Sequence, residues 1–499
     1  MKCYKLFISI LMIAAVTQTS CKKFLDQPVL GNYQAADFFT SDANAQTAIN
    51  AAYVPLLFTD GGSNAIWVLG DVASDDAIKG GLEGDQADFQ NINDFNIIPS
   101  NSAVEAVWKR YYDGVFKCNV VISGLPDDNT AVSDAVKTSC IGQAKFLRAY
   151  YYFILTNCYG NIPLHLKVET PEEVQSPALP QEQIYAQIES DLTDAASALP
   201  TSWSGADDGR ATKGAALALL AKTYLFEKKW EQAASTAQEV EALGIYSLTK
   251  LFTDNFNADK KDNTEAIFSV WQKSGSNPFL GNNLNQWFAP RSVNGYGFFY
   301  PTQSLVDNFE KSPNGVVDPR LGYTMAGEGI PYYDTTYQES WSTTGFISKK
   351  QIQPLSEIPT SLKGDGNLNY EAIRFADVLL IEAEALNESG KAAQALVPLN
   401  KVRKRARESY LYDASLPGSG TIPNGLLPDI TVTDQTQLRD VIRKERRSEL
   451  ALEFHRFFDM IRYGSAYATD AMKDIPNFNY DKNKFFPIPQ SELDTNHNL

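Results

Sequence analysis

The chain has 499 residues, 43% of them hydrophobic and 21% charged, an ordinary balance for a globular protein long enough to bury a large core without disulfide staples. Asp and Glu total 60 against 44 Lys and Arg, a net charge of −16 that repels a phosphate backbone and excludes nucleic acid as the partner. The three histidines, His165, His455 and His497, have no Cys or His at ligand spacing, which excludes a zinc site.

Residues 1–20 read as a signal peptide. Lys2 and Lys5 supply a positive start, and Leu6 to Val16 is a mostly apolar stretch too short for the ~30 Å hydrocarbon core. Thr17-Gln18-Thr19-Ser20 then leads to Cys21. Cleavage before Cys21 frees its amine, and a diacylglycerol on its thiol anchors the chain, each buried CH₂ contributing about 0.8 kcal/mol. Gln18 stands where such sites prefer an aliphatic residue, and plain secretion with an incidental Cys21 thiol is the alternative. No later stretch reaches membrane-spanning length, so the body is expected outside the bilayer.

Trp108, Tyr112, Val115, Asn119 and Ile122 recur at helical spacing, as do Ile141, Ala144, Leu147, Tyr151, Ile154 and Cys158. The turn from Gly124 to Asp134 between them predicts an antiparallel helix pair. Cys140 and Cys158 fall on one helix about 27 Å apart and cannot bond each other. Any disulfide must therefore use Cys118; buried, unpaired thiols are the other reading, since all three sit at apolar helical positions.

Further on, Leu220-Ala221, Tyr224 and Ala233 flank a turn at Lys228-Lys229-Trp230. Ala383, Leu386 and Ala395 repeat the offsets around Ser389-Gly390-Lys391. Small residues that let two helices approach, with a large one filling the groove, are the pattern of a tetratricopeptide hairpin. Between the copies, residues 253–369 are rich in Gly, Asn, Ser, Pro and aromatics, as in Ser274-Gly275-Ser276-Asn277-Pro278 and Asn294-Gly295-Tyr296-Gly297. Such composition predicts loops and short strands. One last helix is expected to start at Asp434, capped with Gln437, and to run through Leu452 and Phe457 to Gly464. The expected fold is mainly α: a tetratricopeptide-like helical-hairpin scaffold, 21–252 and 370–499, with a loop-rich insertion, 253–369, carrying short strands. The mature chain 21–499 reads as a single domain.

No Gly-x-Ser-x-Gly elbow, His-Glu-x-x-His helix or phosphate-cradling glycine loop occurs, so catalysis is not expected; with so many acids, Asp75-Asp76 or Glu172-Glu173 proves no glycosidase. A sugar site needs flat aromatic faces for pyranose C–H surfaces, with amides, Arg and carboxylates for the hydroxyls. The insertion offers Trp287, Tyr296, Tyr300, Tyr332, Tyr333 and Trp341 beside Asn282, Asn283, Asn285 and Arg291. Trp67 with Asp71, Asp75 and Asp76 forms a second cluster. The ligand-binding candidates are Trp67, Asp71, Trp287, Arg291, Tyr296, Tyr300, Tyr332 and Trp341, although most Trp and Tyr are buried in folded proteins. Arg148 and the charged helix around Arg446 read as buried ion pairs between helices. Asp259, Asp262 and Glu265 supply oxygen ligands of the type Ca²⁺ takes, without the full loop pattern, so no cofactor is expected.

Five stretches together resemble the SusD/RagB-like outer-membrane lipoproteins of Bacteroidetes. They are Lys145-Phe146-Leu147-Arg148-Ala149-Tyr150 continuing to Tyr159-Gly160-Asn161-Ile162-Pro163, Arg210-Ala211-Thr212-Lys213-Gly214, Arg374-Phe375-Ala376-Asp377-Val378-Leu379, Arg443-Lys444-Glu445-Arg446-Arg447-Ser448-Glu449-Leu450 with Asp459 and Arg462, and Phe486-Pro487-Ile488-Pro489 with Glu492. Their order spans the mature chain. The resemblance implies a cell-surface lipoprotein that binds an oligosaccharide, or sometimes a peptide, as the lid of a SusC-like TonB-dependent transporter. A tetratricopeptide-type interaction scaffold and a secreted hydrolase are the other classes.

Overall fold

A computed structural model describes residues 38–293, 295–357 and 364–499; the signal peptide and Cys21 lie outside the described residues. The first long helices start where a side chain takes up the orphan N–H groups of the first turn. Ser41 caps α1 (Asp42–Tyr53) by accepting from the Asn44 N–H, and Asn101 caps α2 (Ser102–Gly124) by accepting from Ala103 and Val104. Helix α3 (Asp134–Tyr159) folds back on α2 and ends at Gly160, whose φ of 75° lies in the left-handed region. Helices α4 (Gln181–Ala198), α5 (Lys213–Phe226, capped by Thr212) and α6 (Trp230–Ala242) follow, each packed on its predecessor.

After the insertion the scaffold resumes with α7 (Phe375–Glu388) and α8 (Ala392–Tyr412). The hairpins α5–α6 and α7–α8 are far apart in sequence, yet α6 packs directly on α7. Ala221, Ala233, Ala383 and Ala395 have no exposed surface, because they lie where the helices approach closely. The chain is thus helix-dominated with tetratricopeptide-like hairpins.

The insertion leaves and returns through one antiparallel pair. Strand β2 (Ala266–Val270) runs beside β6 (Tyr370–Arg374), with Ala266 opposite Arg374 and Val270 opposite Tyr370. A second pair ties the insertion to the N-terminal half, β1 (Ala77–Gly80) against β3 (Phe298–Pro301), and β4 (Met325–Gly327) pairs with β5 (Phe346–Ser348).

The C-terminal helix departs from expectation. It starts as read, with Asp434 accepting from the Gln437 N–H, but breaks into α9 (Gln435–Leu450) and α10 (Arg456–Tyr463). Leu452 and Phe454 lie at φ 59° and 68°, a region costly for residues other than glycine. A contact from the distant N-terminal half imposes this turn. The buried Asp71 carboxylate accepts from the N–H of Phe454 at 2.8 Å and of Arg456 at 3.1 Å. Gly70 lies so close that a Cβ there would fall 2.3 Å from the Phe454 carbonyl oxygen.

Ion pairs fill the space between α9, the scaffold and the insertion. A separate pair joins α3 to α4, where Arg148 grips Asp191 through two 2.8 Å bonds. Arg446 bridges Asp377 and Asp459, Glu445 joins Arg320 to Arg403, and Glu449 receives Arg320, Arg374 and Arg405. These charges are structural, since buried ions persist only when paired and hydrogen-bonded. Cys118, Cys140 and Cys158 are buried free thiols, with Cys140 and Cys158 both on α3.

Candidate functional site

An aromatic layer lies where β1, β3 and the loop after α1 converge. Trp67 is fully buried and donates its indole N–H to the Gly61 carbonyl at 2.9 Å. Trp287, 6% exposed, stacks at 5.9 Å on Phe89, lies 5.1 Å from Phe298, and donates to Asn283 Oδ1 at 2.8 Å. Gly61 closes the loop over this ring: a Cβ there would sit 2.7 Å from the indole.

On this layer stands Tyr296, 40% exposed, its ring edge-on to Trp287 at 5.7 Å and 87°. Beside it the exposed Arg291 pairs with the half-buried Asp85. Lys79 fixes the Asp85 loop by donating to the carbonyls of Leu82 at 3.2 Å and Asp85 at 2.6 Å. The result is a surface patch of Tyr296, Arg291, Asp85 and the exposed Leu82. It holds one aromatic face and a cation–anion pair, groups suited to binding a polar ligand that has an apolar face.

Of the eight candidates read from sequence, the structure brings only Arg291 and Tyr296 to the surface together. Trp67, Trp287, Tyr300, Tyr332 and Trp341 are buried and, as placed, offer no face to a ligand. Trp67 and Trp287 form the layer beneath Tyr296. Tyr332 packs edge-on against Trp341 at 5.8 Å and against Tyr333 at 5.2 Å, a second aromatic cluster inside the insertion. The physical reason is that the insertion's rings join the main hydrophobic core, where large rings remove the most apolar area from water. Asp71 is likewise internal, as the cap of α10; burial and the nearby Asp76 push its carboxyl up to about 8. Asn282 and Asn285 are buried and bond backbone groups within the insertion, and Asn283 holds Trp287. Asp75 and Asp76 are gripped by Arg456 and Arg447.

The three carboxylates weighed for Ca²⁺ do not converge. Glu265 is buried and bonded to Arg374 and Arg405 at 2.8 Å each, while Asp259 and Asp262 are exposed. Among the described residues no group of three or more His, Cys, Asp or Glu is placed to hold a metal ion. Sequence reasoning missed Leu82 and Asp85. Their signal is the turn-rich run Lys79-Gly80-Gly81-Leu82-Glu83-Gly84-Asp85, which marks a loop but not where it lands.

Residues 264–499 match the profile of the SusD family, and residues 23–225 match one described as starch-binding associating with outer membrane. SusD-like protein P2 of Formosa agariphila is 27% identical, the match spanning 100% of this chain and 99% of its own. A SusD-like protein of Bacteroides ovatus is 25% identical over 91% of this chain and 81% of its own. Among solved structures, a laminarin binding SusD-like protein is 29% identical with a TM-score of 0.75, covering 91% of this chain and 98% of that one. A SusD-like carbohydrate binding protein from Bacteroides fragilis is 25% identical with a TM-score of 0.78, covering 93% and 99%. With both halves matched by SusD profiles and one fold shared over most of its length, this chain belongs to the SusD/RagB family.

Proposed function

We propose that this protein is a cell-surface lipoprotein of the outer membrane, anchored through Cys21, that binds an oligosaccharide and serves as the lid of a SusC-like TonB-dependent transporter. The observation that carries the binding reading is the exposed Tyr296 ring, braced by Trp287 and flanked by the Arg291–Asp85 pair. Solved relatives named for laminarin and carbohydrate binding support a glycan as the ligand class. The phrase "associating with outer membrane" in a matching profile supports the location, and no described helix is long and apolar enough to cross a membrane. Binding proceeds without turnover: Asp75 and Asp76 are engaged by arginines, and Asp85 is paired with Arg291, so none of these is poised as a free acid or base.

The test is calorimetry of residues 22–499 with soluble laminarin, starch, xylan and mannan, followed by chromatography of each mixture. One glycan class is expected to bind, and Tyr296→Ala and Arg291→Ala each weaken it about tenfold, or about 1.4 kcal/mol. Binding unchanged in both variants moves the site elsewhere, and shortened oligosaccharides overturn the non-catalytic reading. Co-purification of a barrel transporter from outer membranes tests the lid role.

A further inference from the structure

Of the seven tryptophans, Trp271 is the most exposed, at 38%; the others are buried or half-buried. It directly follows β2 and walls a cleft of about 250 Å³ between that strand, the end of α1 and the loop 206–210. None of the residues of the Tyr296 patch lines this cleft. The ring is held from two sides. Gly209, at φ 87°, lies so close that a Cβ would fall 2.7 Å from the indole Cδ1. Lys261 Nζ sits 6.0 Å from the ring centroid, itself fixed by donating to the Gln272 carbonyl at 2.7 Å and Asn367 Oδ1 at 2.9 Å.

The cleft's polar groups fall into two sets. Tyr53 is engaged, donating to Gln143 at 3.0 Å and accepting from the Ala211 N–H, and Arg210 is oriented by Asp207 at 2.7 Å and Gln143 at 3.2 Å. Asn50 and Asp208, by contrast, are exposed and their side chains make no hydrogen bond among the described residues, nor does the Trp271 indole N–H. An immobilised flat ring bordered by a free amide, a free carboxylate and an oriented guanidinium matches a pyranose, which has an apolar C–H face and a rim of hydroxyls.

We propose that this cleft is a second saccharide-binding subsite, with Trp271 as the stacking platform and Asn50, Asp208 and Arg210 as hydroxyl partners. The inference rests on the glycan reading given above. Two separated platforms on one chain let a single polysaccharide engage both, so that the second contact is intramolecular and avidity rises.

The experiment runs wild-type protein, Tyr296→Ala, Trp271→Ala, and the double variant in native gels cast with soluble laminarin, starch, xylan or mannan. The retarding polymer and its hexasaccharide are then titrated by calorimetry. Each single variant is expected to bind the polymer about tenfold more weakly while keeping hexasaccharide binding at the other platform, and the double variant to bind neither. Iodide should quench one exposed tryptophan, protected by polymer in the wild type and absent in Trp271→Phe. If Trp271→Ala lowers the melting temperature, Asn50→Ala with Asp208→Ala replaces it, since those side chains make no hydrogen bonds among the described residues. Wild-type affinity and stoichiometry in the Trp271 and Asn50/Asp208 variants, with binding lost in Tyr296→Ala, overturns the second subsite and leaves the glycan reading standing. Retardation in none of the four polymers overturns both.

Discussion

Cutting Trp287 and Tyr296 separately to alanine distinguishes a core ring from a surface ring only 5.7 Å away. Trp287 touches Phe89, Phe298 and Trp67, with ring centroids at 5.9, 5.1 and 5.9 Å, and its N–H satisfies Asn283. Its removal leaves a cavity beneath the Gly61–Gly62 loop and an unpaired amide oxygen, and a buried Trp→Ala change costs about 3–5 kcal/mol. Against a typical domain stability of about 5–15 kcal/mol that is a large fraction. Tyr296 is half in solvent, and its one aromatic contact of this kind is worth about 0.5–1.5 kcal/mol. Urea unfolding followed at the tyrosine and tryptophan bands, paired with glycan calorimetry, reads both effects. Trp287→Ala should unfold at markedly lower urea, and Tyr296→Ala should keep its midpoint while losing affinity. A Trp287→Ala protein with the wild-type midpoint and no affinity refutes the reasoning, because the indole would then be a ligand face and not a support.

Glu449→Gln leaves Arg320, Arg374 and Arg405 short of an anion in a buried site, so it should destabilise by about 3–5 kcal/mol; a loss below about 1 kcal/mol in urea unfolding contradicts the network's role. His455 draws stability down in acid, while Asp71, held at about 8, works the other way. Burial and the neighbouring Lys222 charge hold His455 at about 3, against an ordinary value near 6.5, so the unfolded chain takes up a proton that the fold refuses as pH drops through this window. That group contributes a slope of up to about 1.4 kcal/mol per pH unit. Asp459, which burial would raise, is pulled down to about 2 by Arg446 and Arg462 and adds a further loss below about pH 4. Going from pH 7.5 to 4.5, His455→Asn should lose less stability, or gain more, than the wild type, and equal changes exclude His455 as a contributor. Cys21→Ala should leave the membrane fraction for the soluble one; continued sedimentation with outer membranes in cells without the transporter shows that something other than a lipid holds the protein.

The hairpin scaffold is legible in the sequence because its signals are local. Alanine offsets, turns such as Ser389-Gly390-Lys391 and caps such as Asp434 act within a few residues of where they are read. The aromatic residues of the insertion are not legible in the same way. Loop-borne rings that greet a ligand and rings that join the core have the same composition, and what separates Tyr296 from Trp287 is the Gly61–Gly62 loop, more than two hundred residues upstream. The break between α9 and α10 has a similar origin. The apolar period runs on through Leu452 and Phe457, and only Asp71, arriving from the other end of the chain, redirects the backbone. Tertiary contacts of this range override local preference.

The same long-range contacts explain why a network of buried charge belongs in this fold. Well-packed apolar residues often stabilise as much as buried ion pairs do, so stability alone does not account for it. Its geometric effect is more particular, because a guanidinium fork donates to its carboxylates in few orientations. Arg456 and Arg447, from α10 and α9, grip Asp75 and Asp76 at 2.7 Å each. Those two acids stand directly before β1, and their carbonyls also receive Thr302, Asp75 from its side chain at 2.5 Å and Asp76 from its N–H at 3.0 Å. With the strand fixed at that end, Ile78 faces Tyr300 and Gly80 faces Phe298. A slip of one residue would turn every side chain of β3 to the other face. Tyr296 lies two residues before β3, so its ring reaches the surface above Trp287 only in the register that the arginines impose.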